Sequence, residues 1–153
     1  MAVVIGALAV STGCAHDAAP QRDRGADRAA VESALRLWPQ QFNDRNLPAV
    51  CGLFADDVVL SYPDSPDRGH DAFCAQMKKL FEDPARRYTY AEPDIEEILV
   101  DGDLGAVKLI WTLTVADPSG KVLDTVVEDG VDVFQRQADG SWKIRVSHAF
   151  TRG

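Results

Sequence analysis

The chain has 153 residues, 46% of them hydrophobic and 26% charged, which is the composition of one ordinary globular domain. Its 16 Lys and Arg stand against 24 Asp and Glu, so the formal net charge is −8. This acidity argues against nucleic acid or an anionic membrane surface as the main partner, because both are bound by basic surfaces.

The N-terminus has the pattern of an export signal. Residues 2–10 form an apolar run far shorter than the roughly 20 residues of a membrane-spanning helix. Small residues and then Cys14 follow, so residues 1–14 predict a signal peptide, and hence a protein exported to a bacterial periplasm or cell envelope. The ending also resembles a bacterial lipoprotein box, in which a lipid on Cys14 would anchor the protein to a membrane. The alternative is a buried N-terminal strand.

A tether and a first helix are predicted next. Residues 15–28 are polar and lack hydrophobic periodicity, which indicates a flexible tether. The predicted helix over 29–45 has an apolar stripe at spacings of four, three and four residues, formed by Val31, Leu35, Trp38 and Phe42. We expect Asp27 to cap its start and Pro39 to kink it or to end its first half.

Two further helices flank the first strand. Pro48 suits the first position of a short helix over 48–54, and the apolar residues 58–62 predict a strand. A loop rich in turn residues leads to a third helix over 70–81.

From residue 87 onward the pattern is typical of strands, at 88–90, 95–100, 106–115, 122–136 and 142–150. Three N-terminal helices followed by an antiparallel meander predict an α+β domain over residues 29–152, with the helices on one face of the sheet. Strands this long have to bend, so we expect a curved sheet that forms a cone with a pocket. Gly130 is a candidate for a bulge or bend in the longest strand.

Cys51 and Cys74 remain after removal of the signal segment. In an oxidising compartment this even pair predicts a disulfide. The alternative is two buried free thiols in a reduced protein.

Two sequence pieces carry a resemblance to a known family. They are Leu-Phe-Ala-Asp-Asp at 53–57 and Asp-Gly-Ser-Trp-Lys-Ile at 139–144. In this order of elements they resemble the nuclear transport factor 2-like superfamily, and within it the SnoaL-like and ketosteroid-isomerase-like group. The resemblance implies a cone-shaped cavity. It does not specify one function, because this superfamily contains isomerases, dehydratases, cyclases and non-catalytic binding domains.

The sequence can be compared with the isomerase at its three catalytic positions, which hold a carboxylate base, a tyrosine donor and a protonated aspartate donor. Aligned on residues 53–57, these positions fall on Tyr62, Trp38 and Asp132. Two of the three roles are changed, and tyrosine is a poor base at neutral pH. The comparison therefore implies a cavity and argues against steroid isomerisation by that mechanism.

Asp132 and His148 are the candidate catalytic residues. Alternation places Asp132 and Phe134 on one face of their strand, and the resemblance makes that face concave. Alternation in the last strand likewise places His148 on the apolar face. Either side chain could move a proton inside an apolar cone. For Asp132 the alternative is a register shift at Gly130 that turns it to water or pairs it with an arginine. For His148 the alternative is a core histidine bonded to backbone.

Tyr62, Trp38, Trp111 and Phe134 are the candidate substrate-binding residues. The chain lacks the sequence motifs of phosphate-binding loops, serine hydrolases and zinc sites, so we expect no cofactor and no metal. We therefore expect a pocket for a small hydrophobic molecule, with isomerase, dehydratase or cyclase chemistry through Asp132 and His148. One alternative is a non-catalytic ligand-binding or assembly module that is tethered at the membrane and could form a homodimer. Another is a structural partner in an envelope complex.

Overall fold

The computed structural model describes residues 23–63 and 65–152. The predicted signal segment with Cys14, and the predicted tether as far as residue 22, lie outside the described residues. Within the two described ranges, no helix combines the length and the apolar character needed to cross a membrane.

Helix α1 (Arg24–Asn43) begins five residues before its predicted start. Asp23 caps it, because its side chain accepts hydrogen bonds from two backbone N–H groups of the first turn. Asp27, the predicted cap, lies inside that turn and forms an ion pair with Arg136 of the sheet. The prediction that residues 24–28 belong to a flexible tether is therefore wrong.

Pro39 lies inside α1 and does not end it, since the helix continues for four residues to Asn43. Proline removes one helical hydrogen bond. The side chains on either side of it, Trp38 and Phe42, are buried in the core and hold both halves of the helix against the sheet.

Helix α2 (Leu47–Gly52) is capped by Asn46 and is shorter than predicted. Helix α3 (His70–Glu82) follows the first strand, close to its predicted bounds. A disulfide between Cys51 and Cys74 joins these two helices with their Cα atoms 5.8 Å apart, which confirms the predicted pairing. The bond fixes the position of α3, which supplies one wall of the cavity described below.

The strands are β1 (Phe54–Ser61), β2 (Arg87–Tyr90), β3 (Asp94–Asp101), β4 (Leu104–Ala116), β5 (Val122–Arg136) and β6 (Trp142–Thr151). In the described part they form one sheet in the order β1-β6-β5-β4-β2, with β3 also paired to β4. The β1–β6 pair is parallel and the other pairs are antiparallel. The sheet curls into a half-barrel around few helices, which confirms the predicted α+β class.

A β-bulge at Arg145 reverses the faces of β6. Opposite β5, Phe134 pairs with Ile144 while Val133 pairs with Val146, so Arg145 is the extra residue. Before the bulge the even-numbered Ile144 is buried, and after it the odd-numbered Ser147 and Ala149 are buried. The continuous alternation expected for this strand is therefore interrupted at its middle.

Candidate functional site

A cavity of about 350 Å³ lies between α3, α1 and the concave face of the sheet. This size is at the lower end of the roughly 300–1,000 Å³ typical of small-molecule sites. Its wall is rich in aromatic side chains, among them Trp38, Phe54, Tyr62, Phe73, Tyr90 and Trp111. The cone is therefore hollow, as the long strands predict.

Asp132 lies in the cavity wall at the centre of β5. Its strand neighbours are Ser147 on β6 and Val107 on β4. Asp132 is only 3% exposed, and this burial raises the pKa of its carboxyl to about 7. A hydrogen bond from Ser147 lowers the pKa but does not outweigh the effect of burial. The register shift considered at Gly130 does not turn Asp132 to water, because β5 keeps its alternation through this region.

His148 lies on the opposite, convex face of the sheet. The Arg145 bulge places it outward, where it is exposed and its ring lies 6.0 Å from that of Phe150. The prediction that His148 shares the face of Asp132 is therefore wrong, and so is the alternative of a core histidine. Acid–base chemistry inside the cone cannot use this imidazole in this conformation.

The predicted binding residues divide into two groups. Trp38, Tyr62 and Trp111 all line the cavity, and their role in binding stays a prediction. Phe134 does not line it. Its side chain is fully buried in the core, so the prediction that Phe134 binds substrate is wrong.

Trp38 forms part of an aromatic wall but offers the cavity no hydrogen-bond donor. Its ring centroid lies 5.3 Å from that of Trp111 and 5.1 Å from that of Tyr90. Its indole N–H donates to the backbone carbonyl oxygen of Val50 at 3.1 Å. Trp38 therefore cannot replace the tyrosine donor expected at this position from the resemblance.

Three phenols line the cavity, and the hydroxyl of one of them, Tyr88, donates to Asp83 at 3.2 Å. Tyr62 and Tyr90 are the other two, and burial is the main reason that the pKa of each of these two phenols is raised, for Tyr62 to about 12. The negative charge of Glu128 raises both pKa values further. Both groups therefore stay protonated near neutral pH, as hydrogen-bond donors.

Sequence reasoning missed Glu128, which lies four residues before Asp132 on the same face of β5. Burial raises the pKa of its carboxyl above the usual value. The alternation that singled out Asp132 also points to Glu128, so this signal was present in the sequence. Arg68 and Gln76 also line the cavity, but they come from a loop and from α3, where strand alternation gives no signal.

The polar groups of the site therefore include one buried carboxyl with a pKa near neutrality, a second carboxyl, three phenols, a glutamine amide and an arginine. Such a carboxyl can take or give a proton at neutral pH. In residues 23–63 and 65–152, three or more His, Cys, Asp or Glu side chains nowhere cluster so as to hold a metal ion.

Comparison with known families and structures supports the fold. A profile described as a SnoaL-like domain matches residues 35–145. No curated protein matches the chain significantly.

Several solved structures share the architecture. A conserved protein from Planctomyces limnophilus is similar with a TM-score of 0.73 and 18% identity, over 84% of this chain and 98% of that one. A ketosteroid isomerase-like protein from Erwinia carotovora atroseptica has a TM-score of 0.68 and 23% identity, over 83% and 97% of the two chains. A nuclear transport factor 2-like superfamily protein from Salmonella enterica has a TM-score of 0.69 and 13% identity, over 86% and 94%. At these identities the likeness shows the fold alone.

Proposed function

This chain belongs to the SnoaL-like domain family, and on that premise we propose that its cone binds a small apolar or aromatic molecule and moves a proton on it through Asp132. The family often binds small molecules or catalyses isomerase or cyclase steps. The observation that carries the proposal is the position of Asp132, a 3%-exposed carboxyl in the wall of an aromatic cavity.

The chemistry needs one acid–base group and donors for an oxygen. The Asp132 carboxylate takes a proton from a carbon next to a carbonyl group, and the electron pair moves to the carbonyl oxygen as an enolate. The hydroxyls of Tyr62 and Tyr90 are the cavity's candidate donors to that oxygen. In a substrate with a β,γ carbon–carbon double bond, the Asp132 carboxyl returns the proton at the γ-carbon of the resulting dienolate, whereas in a substrate with a leaving group on the β-carbon it protonates that group as the enolate expels it. Either step regenerates the carboxylate.

Deuterium exchange tests this proposal without knowledge of the natural substrate. The probe is 1-tetralone in D₂O, and proton NMR follows the loss of signal at the carbon next to its carbonyl. We expect the wild-type protein to accelerate exchange over buffer, with a rate that rises with pH through about 7 as Asp132 ionises. Asp132→Asn should lower the protein-dependent rate by roughly 100-fold or more.

Asp129→Asn is the matched control, because Asp129 lies on the same strand with its side chain paired to Arg152 on the outside. It should keep the wild-type exchange rate. Exchange no faster than in buffer, or equal exchange by Asp132→Asn and the wild type, would contradict the proposal.

A second candidate function is ligand binding without catalysis. The outward position of His148 favours it, because the cavity then lacks the imidazole expected to act with Asp132. In that case calorimetry would detect binding of 1-tetralone while NMR would detect no accelerated exchange.

We also propose that the protein is exported. A disulfide such as Cys51–Cys74 persists in oxidising compartments and is rare in a reducing cytoplasm. Fractionation of bacteria expressing the full chain should place it in the periplasm or envelope, and radioactive palmitate should label it only if Cys14 is lipidated, so that Cys14→Ala loses the label. Recovery in the cytoplasm with both thiols free would contradict export.

A further inference from the structure

Arg68 lies in the cavity wall at a position fixed by its backbone. Its N–H donates to the carbonyl oxygen of Leu60 and its carbonyl accepts from the Leu60 N–H, both at 2.9 Å, so that the loop after β1 returns alongside that strand. The guanidinium stacks over the ring of Tyr62, 4.7 Å from the ring centroid. Its Nη1 donates to Oε1 of Gln76 on α3.

The guanidinium keeps an unused donor. Its Nε is buried and has no hydrogen-bond partner among the described residues. A buried donor without a partner destabilises the folded protein, more so when the group is charged, so such a donor calls for a partner such as a ligand or a water molecule.

Among residues 23–63 and 65–152, the guanidinium of Arg68 takes part in no ion pair. Glu128 shares the cavity and interacts with Arg68 electrostatically, which lowers the Glu128 pKa slightly against the larger effect of burial, but the two side chains form no ion pair. Arg136 also stacks on an aromatic ring, that of Trp142 at 4.5 Å, but unlike Arg68 it forms an ion pair, with Asp27.

We propose that the cone selects organic anions, with a carboxylate against Arg68 and an aromatic or other apolar body against the aromatic wall. A guanidinium binds a carboxylate through two parallel hydrogen bonds, a geometry that a neutral oxygen cannot reproduce. This inference names the substrate class of the proposed site and rests on the cone being a binding site, but it does not depend on proton transfer by Asp132.

Calorimetric titration with a matched pair of probes tests it, 2-naphthoate against 2-naphthalenemethanol at pH 8. The two share an aromatic body and differ in charge. We expect the wild type to bind 2-naphthoate at least about tenfold more tightly than the alcohol, the effect of one hydrogen bond to a charged group. Arg68→Met should remove this preference, while Arg152→Met, which makes the same change in net charge outside the cavity, should keep it.

Glu128→Gln provides a second test in a protein that keeps Arg68. Removal of the neighbouring negative charge should tighten 2-naphthoate binding and leave the alcohol unchanged. Equal affinity of the wild type for both probes, a preference that survives Arg68→Met, or no binding of 2-naphthoate would overturn the inference. Exchange of the neutral 1-tetralone is a separate readout, so acid–base function can stand when anion selectivity fails, and the reverse.

Discussion

Asp129 and Asp132 lie three residues apart on β5, and the two faces of the sheet give them opposite chemistry. Asp129 is on the convex side, where both its carboxylate oxygens accept hydrogen bonds from Arg152 at 2.6 and 2.7 Å. These bonds lower the pKa of Asp129, whereas burial raises the pKa of Asp132 to about 7. The same residue type is an ion-paired carboxylate on one face and a buried carboxyl with a pKa near neutrality on the other, so the face of the sheet, and not the residue alone, determines how the carboxyl titrates.

The largest expected effect is on the pH dependence of stability. The Asp132 carboxyl keeps its proton to about pH 7 in the folded protein but only to about 3.8 in the unfolded chain, so the folded state binds more protons between these values. The free energy of unfolding therefore falls as pH rises through this window, by roughly 4 kcal/mol in all. Asp132→Asn has no carboxyl at this position, so its free energy of unfolding should not fall for this reason.

Urea unfolding at pH 4 and pH 8 measures the effect. The stability of Asp132→Asn relative to the wild type should rise by roughly 4 kcal/mol from the lower to the higher pH. A relative stability that is the same at both pH values would show that the carboxyl is solvated in the folded protein.

The next effect concerns Gly130, which lies between Glu128 and Asp132 in the cavity wall. A Cβ at this position would lie 3.2 Å from Cδ2 of Leu109 and 3.6 Å from Cδ1 of Trp111. Gly130→Val should therefore destabilise the protein by about 1–3 kcal/mol and weaken binding of aromatic probes by filling part of the cavity. Denaturant unfolding and calorimetry check the two outcomes, with Val131→Ala as the control on the opposite face. Unchanged probe affinity in Gly130→Val would mean that ligands bind elsewhere.

A smaller effect of opposite sign is expected at Asp129. Its lowered pKa means that the folded state holds the proton less tightly than the unfolded chain, so its stabilisation is present above the usual carboxyl pKa and is lost as pH falls through the folded value. In thermal unfolding, Asp129→Asn should be slightly less stable than the wild type at pH 6, and the difference should shrink as pH falls below the usual carboxyl pKa. If Asp129→Asn gained stability relative to the wild type with rising pH, as Asp132→Asn should, the contrast between the two faces would be lost.

The smallest effect is expected at His148. Because its side chain is exposed on the convex face, His148→Ala should change probe affinity and deuterium exchange by no more than about twofold. Calorimetry and NMR with 1-tetralone measure both. A large loss in either would place His148 at the cavity and contradict the register of β6.

The sequence predicted the fold better than the site, for physical reasons that particular residues show. Hydrophobic periodicity located the helices and strands because whole faces of them are buried. The orientation of His148 depends on one inserted residue, Arg145, and a bulge has no signature in alternation. Arg68 lies in a loop whose return to β1 is a tertiary contact, so nothing local predicts that it reaches the cavity.

The placement of Phe134 shows a different limit. Alternation correctly put it on the face of Asp132, since both are buried. A shared face does not decide which residue borders empty space and which is covered by packing, because that depends on how far α1 and the other strands extend over it. Whether a buried side chain borders the cavity can therefore be decided only from the three-dimensional structure.

The parallel pairing of β1 with β6 has a consequence for synthesis. β6 is the last described strand, yet it lies inside the sheet between β1 and β5, and it carries Ser147 beside Asp132. While residues 142–151 are still inside the ribosome, the first strand of a nascent chain cannot pair with the rest of the sheet. The chain should therefore stay loosely folded until translation passes this point, the condition in which a protein can be threaded through a translocation pore.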